Sequence, residues 1–268
     1  FRSLIFKIDP EIAHNLAIKS LKLNLAKNIF DENKNNPIFK STLFGKKIDN
    51  PIGIAAGFDK NAEVYNPLFK LGFGFVEVGT ITPLEQYGNP KPRVFRLVED
   101  LALINRLGFN NLGAKNVNLR IRSNSPEGLL GVNIGPNKDT TDRLNDYLIG
   151  IRTFYDIADY ITVNISSPNT PGLRELQSAK NISQLIERID AKIKSLNYVK
   201  PIFLKISPDE SQSTIHNIIE KIDSSSFSGL IATNTTIDKT SLKSAAYHHL
   251  EGGLSGEPLF KKSTSMIS

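Results

Sequence analysis

Between residues 52 and 233 six short apolar, largely β-branched runs, at 52–55, 74–78, 129–134, 160–165, 202–206 and 229–233, alternate with longer stretches of helical period. No other feature restricts the fold as much. Strand, crossover and strand in that order argue for parallel strands joined by right-handed helical connections. Near-continuous apolar runs are what strands buried on both faces require. Three connections carry apolar residues at three- and four-residue spacings behind a polar N-cap candidate, which predicts helices over 142–155, 183–196 and 209–223. Residues 94–104, two apolar runs about Glu99 and Asp100, predict a hairpin excursion instead.

Each apolar run gives way to polar residues at its C-terminal end. The strand ends read Ala56-Gly57-Phe58-Asp59-Lys60, Gly79-Thr80, Asn133-Ile134-Gly135, Asn164-Ile165-Ser166-Ser167-Pro168-Asn169, Lys205-Ile206-Ser207 and Thr233-Asn234-Thr235-Thr236. In a (β/α)8 barrel all of these face one mouth, where catalysis is housed. A Rossmann-like open sheet is the structural runner-up, but no GxGxxG follows an early strand. The expected fold is therefore α/β, a (β/α)8 TIM-type barrel behind an N-terminal helical extension. A complete barrel needs eight units, and at about 30 residues per unit the two that would follow the sixth strand need some 60 residues beyond Ser268, so the barrel is expected to be truncated after its sixth strand unless the fold closes in another way. The sequence opens on Phe1 rather than methionine, so its start is expected to be trimmed. Residues 1–36 are assigned to the helical segment and 37–268 to the incomplete barrel.

Composition removes several classes of function. A chain of 268 residues, 40% hydrophobic and 22% charged, can bury one large core. With no cysteine it offers no disulfide, thiolate metal site, cysteine-held iron–sulfur cluster or cysteine nucleophile. The net charge of +6 comes from scattered rather than blocked basic residues, so a solvated surface is expected and no nucleic-acid partner. No apolar run approaches the roughly 20 residues that cross a bilayer, and no leader opens the chain, which predicts a soluble protein made in the cytoplasm. Asp9 and Pro10 suit the cap and first turn of a helix whose apolar face, Ile12, Leu16 and Leu21 with Ala13 and Ala17, runs to about Leu25. Arg2, Lys7, Lys19, Lys22 and Lys27 flank it, so docking on the main domain and lying at a membrane surface both fit.

Taken singly, Asn and Ser after strands are turn formers or caps, and Lys60 is a surface lysine. Lys205 is different, because a charge at the end of the run Pro201-Ile202-Phe203-Leu204 needs a partner or an anionic ligand. Jointly, Lys60, Lys205, Asn133, Asn164, Asn169 and Asn234 converge on one mouth with no carboxylate there but Asp59. Amides offer donors and an acceptor, and lysine balances charge, so the set suits a flat ligand with imide-like edges and a carboxylate. Flavins and pyrimidines have such edges. No metal is expected, since no two histidines lie among the strand ends and hard cations want several carboxylates. A hydrolytic triad fits poorly: of His14, His216, His248 and His249, the first two are expected away from the mouth, and only the last two, after the sixth strand, could reach it. A serine can act as base where loss of a hydride to a cofactor acidifies the proton, which points to dehydrogenation.

The motifs Ala55-Ala56-Gly57-Phe58-Asp59-Lys60, Asn105-Arg106-Leu107-Gly108-Phe109-Asn110-Asn111, Asn164-Ile165-Ser166-Ser167-Pro168-Asn169-Thr170-Pro171-Gly172-Leu173-Arg174 and Ala232-Thr233-Asn234-Thr235-Thr236 resemble those of class 2, quinone-dependent dihydroorotate dehydrogenases. The resemblance runs in order from Asp9 to Gly256. It implies that Ser167 takes the C5 proton of (S)-dihydroorotate while C6 passes a hydride to N5 of FMN, giving orotate in de novo pyrimidine (UMP) synthesis. It places the carboxylate and ring amides of orotate on Lys60, Asn105, Asn164, Asn169 and Asn234, with Thr235 and the stretch Arg106, Leu107, Gly108 and Phe109 beside them. FMN is implied to lie on Ala56, Gly57, Phe58, Asp59, Lys60, Thr80, Asn133, Asn164 and Thr233, with Lys205 by its pyrimidine side and Gly256 toward its phosphate. The class 1 relatives use a cysteine base, and tRNA-modifying flavin barrels rely on a cysteine acid; neither is available here.

In the class it resembles, the helical extension forms an apolar tunnel through which a membrane quinone reoxidises FMN. Ile12 and Leu16 become candidate tunnel or lipid contacts, and the protein is expected to be peripheral on the cytoplasmic side of the cell membrane. The family's last two βα units, whose glycine-rich loops bind the FMN phosphate, lie beyond Ser268, so FMN is expected to bind this sequence weakly. A non-catalytic barrel is the rival from another class; it predicts ligand uptake without flavin reduction.

Overall fold

Six parallel strands form at the six apolar runs. The computed structural model describes residues 5–25, 37–196 and 199–267. A first helix, α1 (Pro10–Lys22), precedes a small antiparallel pair, β1 (Ser41–Leu43) and β2 (Lys46–Ile48), and then the main sheet begins. Its strands are β3 (Gly53–Ile54), β4 (Phe75–Ile81), β7 (Leu129–Ile134), β8 (Tyr160–Asn164), β9 (Ile202–Lys205) and β10 (Gly229–Ile231). They stand in the order β10-β9-β8-β7-β4-β3, every pair parallel. This is the sheet of a half-barrel in a TIM-like α/β fold.

The connecting helices are α2 (Tyr65–Lys70), α3 (Gly113–Ser123), α4 (Arg143–Phe154), α5 (Ala179–Lys194) and α6 (Gln212–Asp223). Two begin where a polar side chain satisfies a free N–H of the first turn. Asp142 accepts from Asn145 N at 2.9 Å, and Ser211 from Thr214 N at 3.1 Å. The apolar faces of α3, α4 and α5 (Val117 and Ile121; Ile151 and Phe154; Leu185 and Ile189) close over the sheet residues Val76, Val78, Leu130, Val132, Ile161, Val163, Ile202 and Leu204 in one buried core. Every residue of β7 and β8 is buried, as the unbroken apolar runs require.

The predicted hairpin exists as β5 (Val94–Leu97) and β6 (Ala102–Asn105), and it gains a third strand that no apolar run marks. β11 (Gly253–Gly256) returns from beyond β10 and pairs antiparallel with β6, Leu254 against Ile104, under a satellite core of Leu97, Ala102, Ile104, Leu242 and Leu254. At Gly256, with φ of 98°, an added Cβ would run into the main chain at Leu101, so glycine there is a packing requirement. The last helix, α7 (Glu257–Ser265), starts at the next residue.

Helix α1 ends at Lys22, three residues before the end expected for it. Asp9 caps it, accepting from Glu11 N at 2.9 Å and Ile12 N at 3.0 Å. Ile18 and Leu21 join the main core, while Ile12 and Leu16 on the other face are about half exposed. Ion pairs fasten the helix: Glu11 Oε1 meets Arg93 Nη2 at 2.7 Å and Lys91 Nζ at 3.5 Å, and Lys22 Nζ meets Glu63 Oε1 at 2.8 Å. Arg2 and Lys27, two of the basic residues expected to flank it, lie outside the described residues. No helix among the described residues is long and apolar enough to cross a membrane.

Candidate active site

The polar strand ends and α1 enclose one cavity of about 950 Å³. The ends of β3, β4, β8, β9 and β10 contribute Ala56, Gly57, Phe58, Asp59 and Lys60, then Thr80, then Asn164, Ser167 and Asn169, then Lys205, then Thr233, Asn234 and Thr235. The hairpin adds Asn105, and the chain beyond it Leu107, Gly108 and Phe109. Glu11, His14 and Ile18 of α1 form the roof. Asn133, Arg106 and Gly256 are the three sequence-selected residues that do not line the cavity. Arg106 turns its guanidinium to Pro92 O, at 2.9 Å from Nη2, and lies over the Phe95 ring. Gly256 pairs with Ala102 at the end of β11.

Asn133 sits one layer down and begins a chain of hydrogen bonds with a fixed direction. Glu77, in the middle of β4 and only 4% exposed, accepts from Thr162 Oγ1 at 2.8 Å and from Asn133 Nδ2 at 2.9 Å. Both Glu77 oxygens accept, so the Asn133 amide presents its nitrogen to Glu77 and its oxygen away. That oxygen accepts from the Thr80 hydroxyl at 2.7 Å, and Thr80 Oγ1 in turn accepts from Asn164 Nδ2 at 3.1 Å. Asn164 Oδ1 is thereby turned to Ser166 Oγ, which donates to it at 3.1 Å, and to Asn234 Nδ2 at 3.3 Å. A buried carboxylate thus sets the polarity of three amides. Sequence reasoning misses Glu77, although the argument applied to Lys205, a charge inside an apolar run, applies to it equally.

Ser167 is 5% exposed, and its hydroxyl accepts from Asn169 N at 3.2 Å. Asn169 also donates its side-chain amide to Asn105 Oδ1 at 3.1 Å. No histidine or carboxylate hydrogen-bonds to Ser167 among the described residues, so the arrangement is not a triad. His248 places Nε2 3.2 Å from Leu242 O, outside the cavity lining, and His249 does not line it either. His14, expected away from the mouth, is on its wall instead. The reason is tertiary: α1 folds back over the strand ends and stacks the imidazole edge-on to Phe58, ring centroids 5.3 Å apart. Burial, with the Lys60 charge adding to it, lowers its pKa to about 4, so it is neutral near pH 7.

Both lysines face the cavity without an ion-pair partner among the described residues. Lys205 is 9% exposed. Burial lowers the Lys60 pKa to about 8, against a smaller upward pull from Glu11. Asp59, the carboxylate among the strand ends, is spent on structure: its oxygens accept from Glu63 N and Val64 N, each at 2.7 Å, opening the turn into α2. Burial raises its pKa. The cavity therefore presents two cations, a directed set of amides and a bare patch at Gly57, where an added Cβ would meet no atom within 4 Å and would project into open space. Such walls accept a flat, anionic, imide-edged ring.

Known proteins share this sequence and fold. The family model for dihydroorotate dehydrogenase matches residues 38–268. A protein of Bartonella tribocorum named dihydroorotate dehydrogenase (quinone) is 50% identical over 273 residues, covering 100% of this chain and 74% of that protein. One of the same name from Rhizobium meliloti is 48% identical, covering 98% and 74%. The crystal structure of DHODH from Eimeria tenella in complex with ferulenol superposes with a TM-score of 0.87 at 38% identity, covering 97% of this chain and 75% of that one. With half of its residues shared along its full length and the same fold, the chain belongs to the quinone-dependent, class 2 dihydroorotate dehydrogenase family.

Proposed function

We propose that the cavity oxidises (S)-dihydroorotate to orotate, the quinone-linked step of pyrimidine biosynthesis that the named relatives carry, with FMN as the resident cofactor. The observation that carries this reading is the convergence of the Ser167 hydroxyl, the amides of Asn105, Asn164, Asn169 and Asn234, and the ammonium groups of Lys60 and Lys205 on one enclosure. When bound, FMN supplies the hydride acceptor. Residues suited to hold it are Ala56, Gly57, Thr80, Thr233 and Lys205 on the wall and Asn133 behind it, acting through Thr80. Lys205, on the cavity wall, would supply the positive charge that a reduced flavin calls for. Phe58, Asp59 and Asn164 border the same volume, and Gly256 is assigned to the phosphate end.

Lys60 pairs with the substrate carboxylate, and the four asparagines match the donors and acceptors of the ring, which orients C5 toward Ser167. Ser167 Oγ receives the C5 proton as the C6 hydride leaves, so substrate loses two hydrogens and two electrons. Backbone at Leu107, Gly108 and Phe109 and the hydroxyl of Thr235 close the remaining side, while Arg106, beside them in sequence, turns to Pro92.

Residues 1–36 serve in this reading as the quinone- and membrane-facing segment, and 37–268 as the flavin-binding barrel. Support comes from α1, which roofs the cavity on one face and exposes Ile12 and Leu16 on the other. A peripheral position on the cytoplasmic side of the membrane accords with that assignment. The test is anaerobic: dihydroorotate added to the FMN-loaded protein should bleach the flavin absorbance, and Ser167→Ala should slow bleaching by about 10²–10⁴-fold. Binding of dihydroorotate without any bleaching of the parent would instead favour a non-catalytic barrel.

A further inference from the structure

Arg174 opens a short 3-10 turn, Arg174–Gln177, just beyond the loop that carries Ser167. Its three guanidinium nitrogens are spent on oxygens from three different strand ends. Nε donates to Ser166 O at 2.9 Å, Nη1 to Asp209 Oδ2 at 2.8 Å and Nη2 to Thr235 O at 2.8 Å. These acceptors come after β8, β9 and β10 respectively. Asp209 is gripped in turn: Oδ2 also accepts from Ile237 N at 2.9 Å, and Oδ1 accepts from Lys262 Nζ at 2.6 Å and from the Thr236 hydroxyl. The Arg174 and Asp209 side chains are 18% and 13% exposed, and neither lines the cavity.

The identity of the acceptors decides what this pair can do. The Ser166 carbonyl belongs to the planar peptide leading into Ser167, so a bond to it fixes the plane from which the Ser167 side chain projects. The Thr235 carbonyl lies one residue past Asn234, whose Oδ1 is held by Thr235 N at 2.8 Å. A guanidinium offers its donors in a rigid planar fork, which a lysine ammonium cannot reproduce. We propose that Arg174, oriented by Asp209, is a positioning residue that sets the Ser167 loop against the Asn234–Thr235 turn and so governs substrate dehydrogenation but not flavin reoxidation. This rests on the proposed assignment of Ser167 and Asn234 to one substrate.

The test compares Arg174→Met, Arg174→Lys and Asp209→Asn with the parent, all FMN-loaded. Single-turnover reduction by dihydroorotate and reoxidation of dithionite-reduced enzyme by a soluble quinone are measured separately, with the KM for dihydroorotate. Arg174→Met is expected to slow reduction about 100-fold and to raise KM, with reoxidation changed less than about twofold. Arg174→Lys is expected to recover no more than about a tenth of the lost rate. On the protein without FMN, amide hydrogen exchange over 166–174 and 234–237 should quicken in each variant and stay unchanged in β7. Parallel slowing of both half-reactions, an unchanged reduction rate, full rescue by lysine, or unaltered exchange in those two segments would each overturn the proposal. If Arg174→Met does not fold, Arg174→Lys and Asp209→Asn carry the same comparison. A parent whose flavin dihydroorotate fails to bleach sinks the substrate reading instead, and the exchange data then decide whether Arg174 holds the two loops.

Discussion

Asn169 donates its side-chain amide to Asn105 Oδ1 at 3.1 Å, tying the loop after β8 to the end of β6 across 64 residues of sequence. Asn89 reinforces the tie by donating to the Asn169 carbonyl at 3.2 Å. The two amides therefore act as one unit, and removing either releases the other. Asn105→Ala and Asn169→Ala are each expected to lower kcat/KM for dihydroorotate by about 10–100-fold, with the double variant little worse than the singles. Full additivity in a double-mutant cycle would show that the contact carries no coupling.

Lys60 provides a pH signature. With a pKa of about 8 in the folded protein, its ammonium is lost as pH rises through that value, and a carboxylate ligand loses its counter-charge. Orotate affinity is expected to weaken above about pH 8, and Lys60→Met to flatten the profile and weaken binding at neutral pH. The stability of the unliganded protein moves the opposite way. The unfolded lysine, near 10.5, binds a proton that the folded one has released, so stability is expected to rise from pH 8 to 10.5. Below pH 8 both states are protonated and the burial cost is present in full. Isothermal titration and denaturant unfolding across this range measure the two effects.

His14 works in the other direction along the pH axis. Its folded pKa, about 4, lies below the ordinary histidine value of 6.5, so between those values the unfolded chain takes up a proton that the folded one refuses. Stability is expected to fall as pH drops from 6.5 through 4, and His14→Gln to remove part of that slope. A titration of the His14 ring with a midpoint near 6.5 would contradict its burial against Phe58.

Glu77 anchors the amide chain from below. Glu77→Leu strands the Asn133 amide and the Thr162 hydroxyl without their acceptor, a loss of about 1–3 kcal/mol for each buried group left unpaired. Urea unfolding should show it. Because Asn133 also loses the partner that sets its orientation, FMN affinity is expected to fall in the same variant, and Glu77→Gln to lie between it and the parent. An unchanged flavin affinity in Glu77→Leu would mean that Thr80 and Asn164 hold their polarity unaided.

The parallel strands were legible because a strand buried on both faces must be apolar along its length, and that demand is local and repeated six times. Lys60, Asn164, Ser167, Lys205 and Asn234 were legible because a barrel gathers its strand ends whatever the connecting helices are. Motif resemblance added Asn105, which no periodicity marks. Other parts left no such local trace. β11 is four residues of glycine, leucine and serine, and it is a strand only because β6 offers a free edge. His14 reached the cavity through the docking of α1 by Glu11 and Arg93, groups 82 positions apart.

By itself, then, the sequence determined the six parallel strands, the residue types at their ends and the family, since each depends on neighbours in the chain or on motif order. Only the tertiary structure decided which groups face the cavity and which lie behind it. Asp59 turned out to cap a turn, Asn133 to lie beneath the wall, and Arg174 to bridge three loops, because hydrogen bonds between distant segments are satisfied or lost by position in space, which residue type and spacing do not encode.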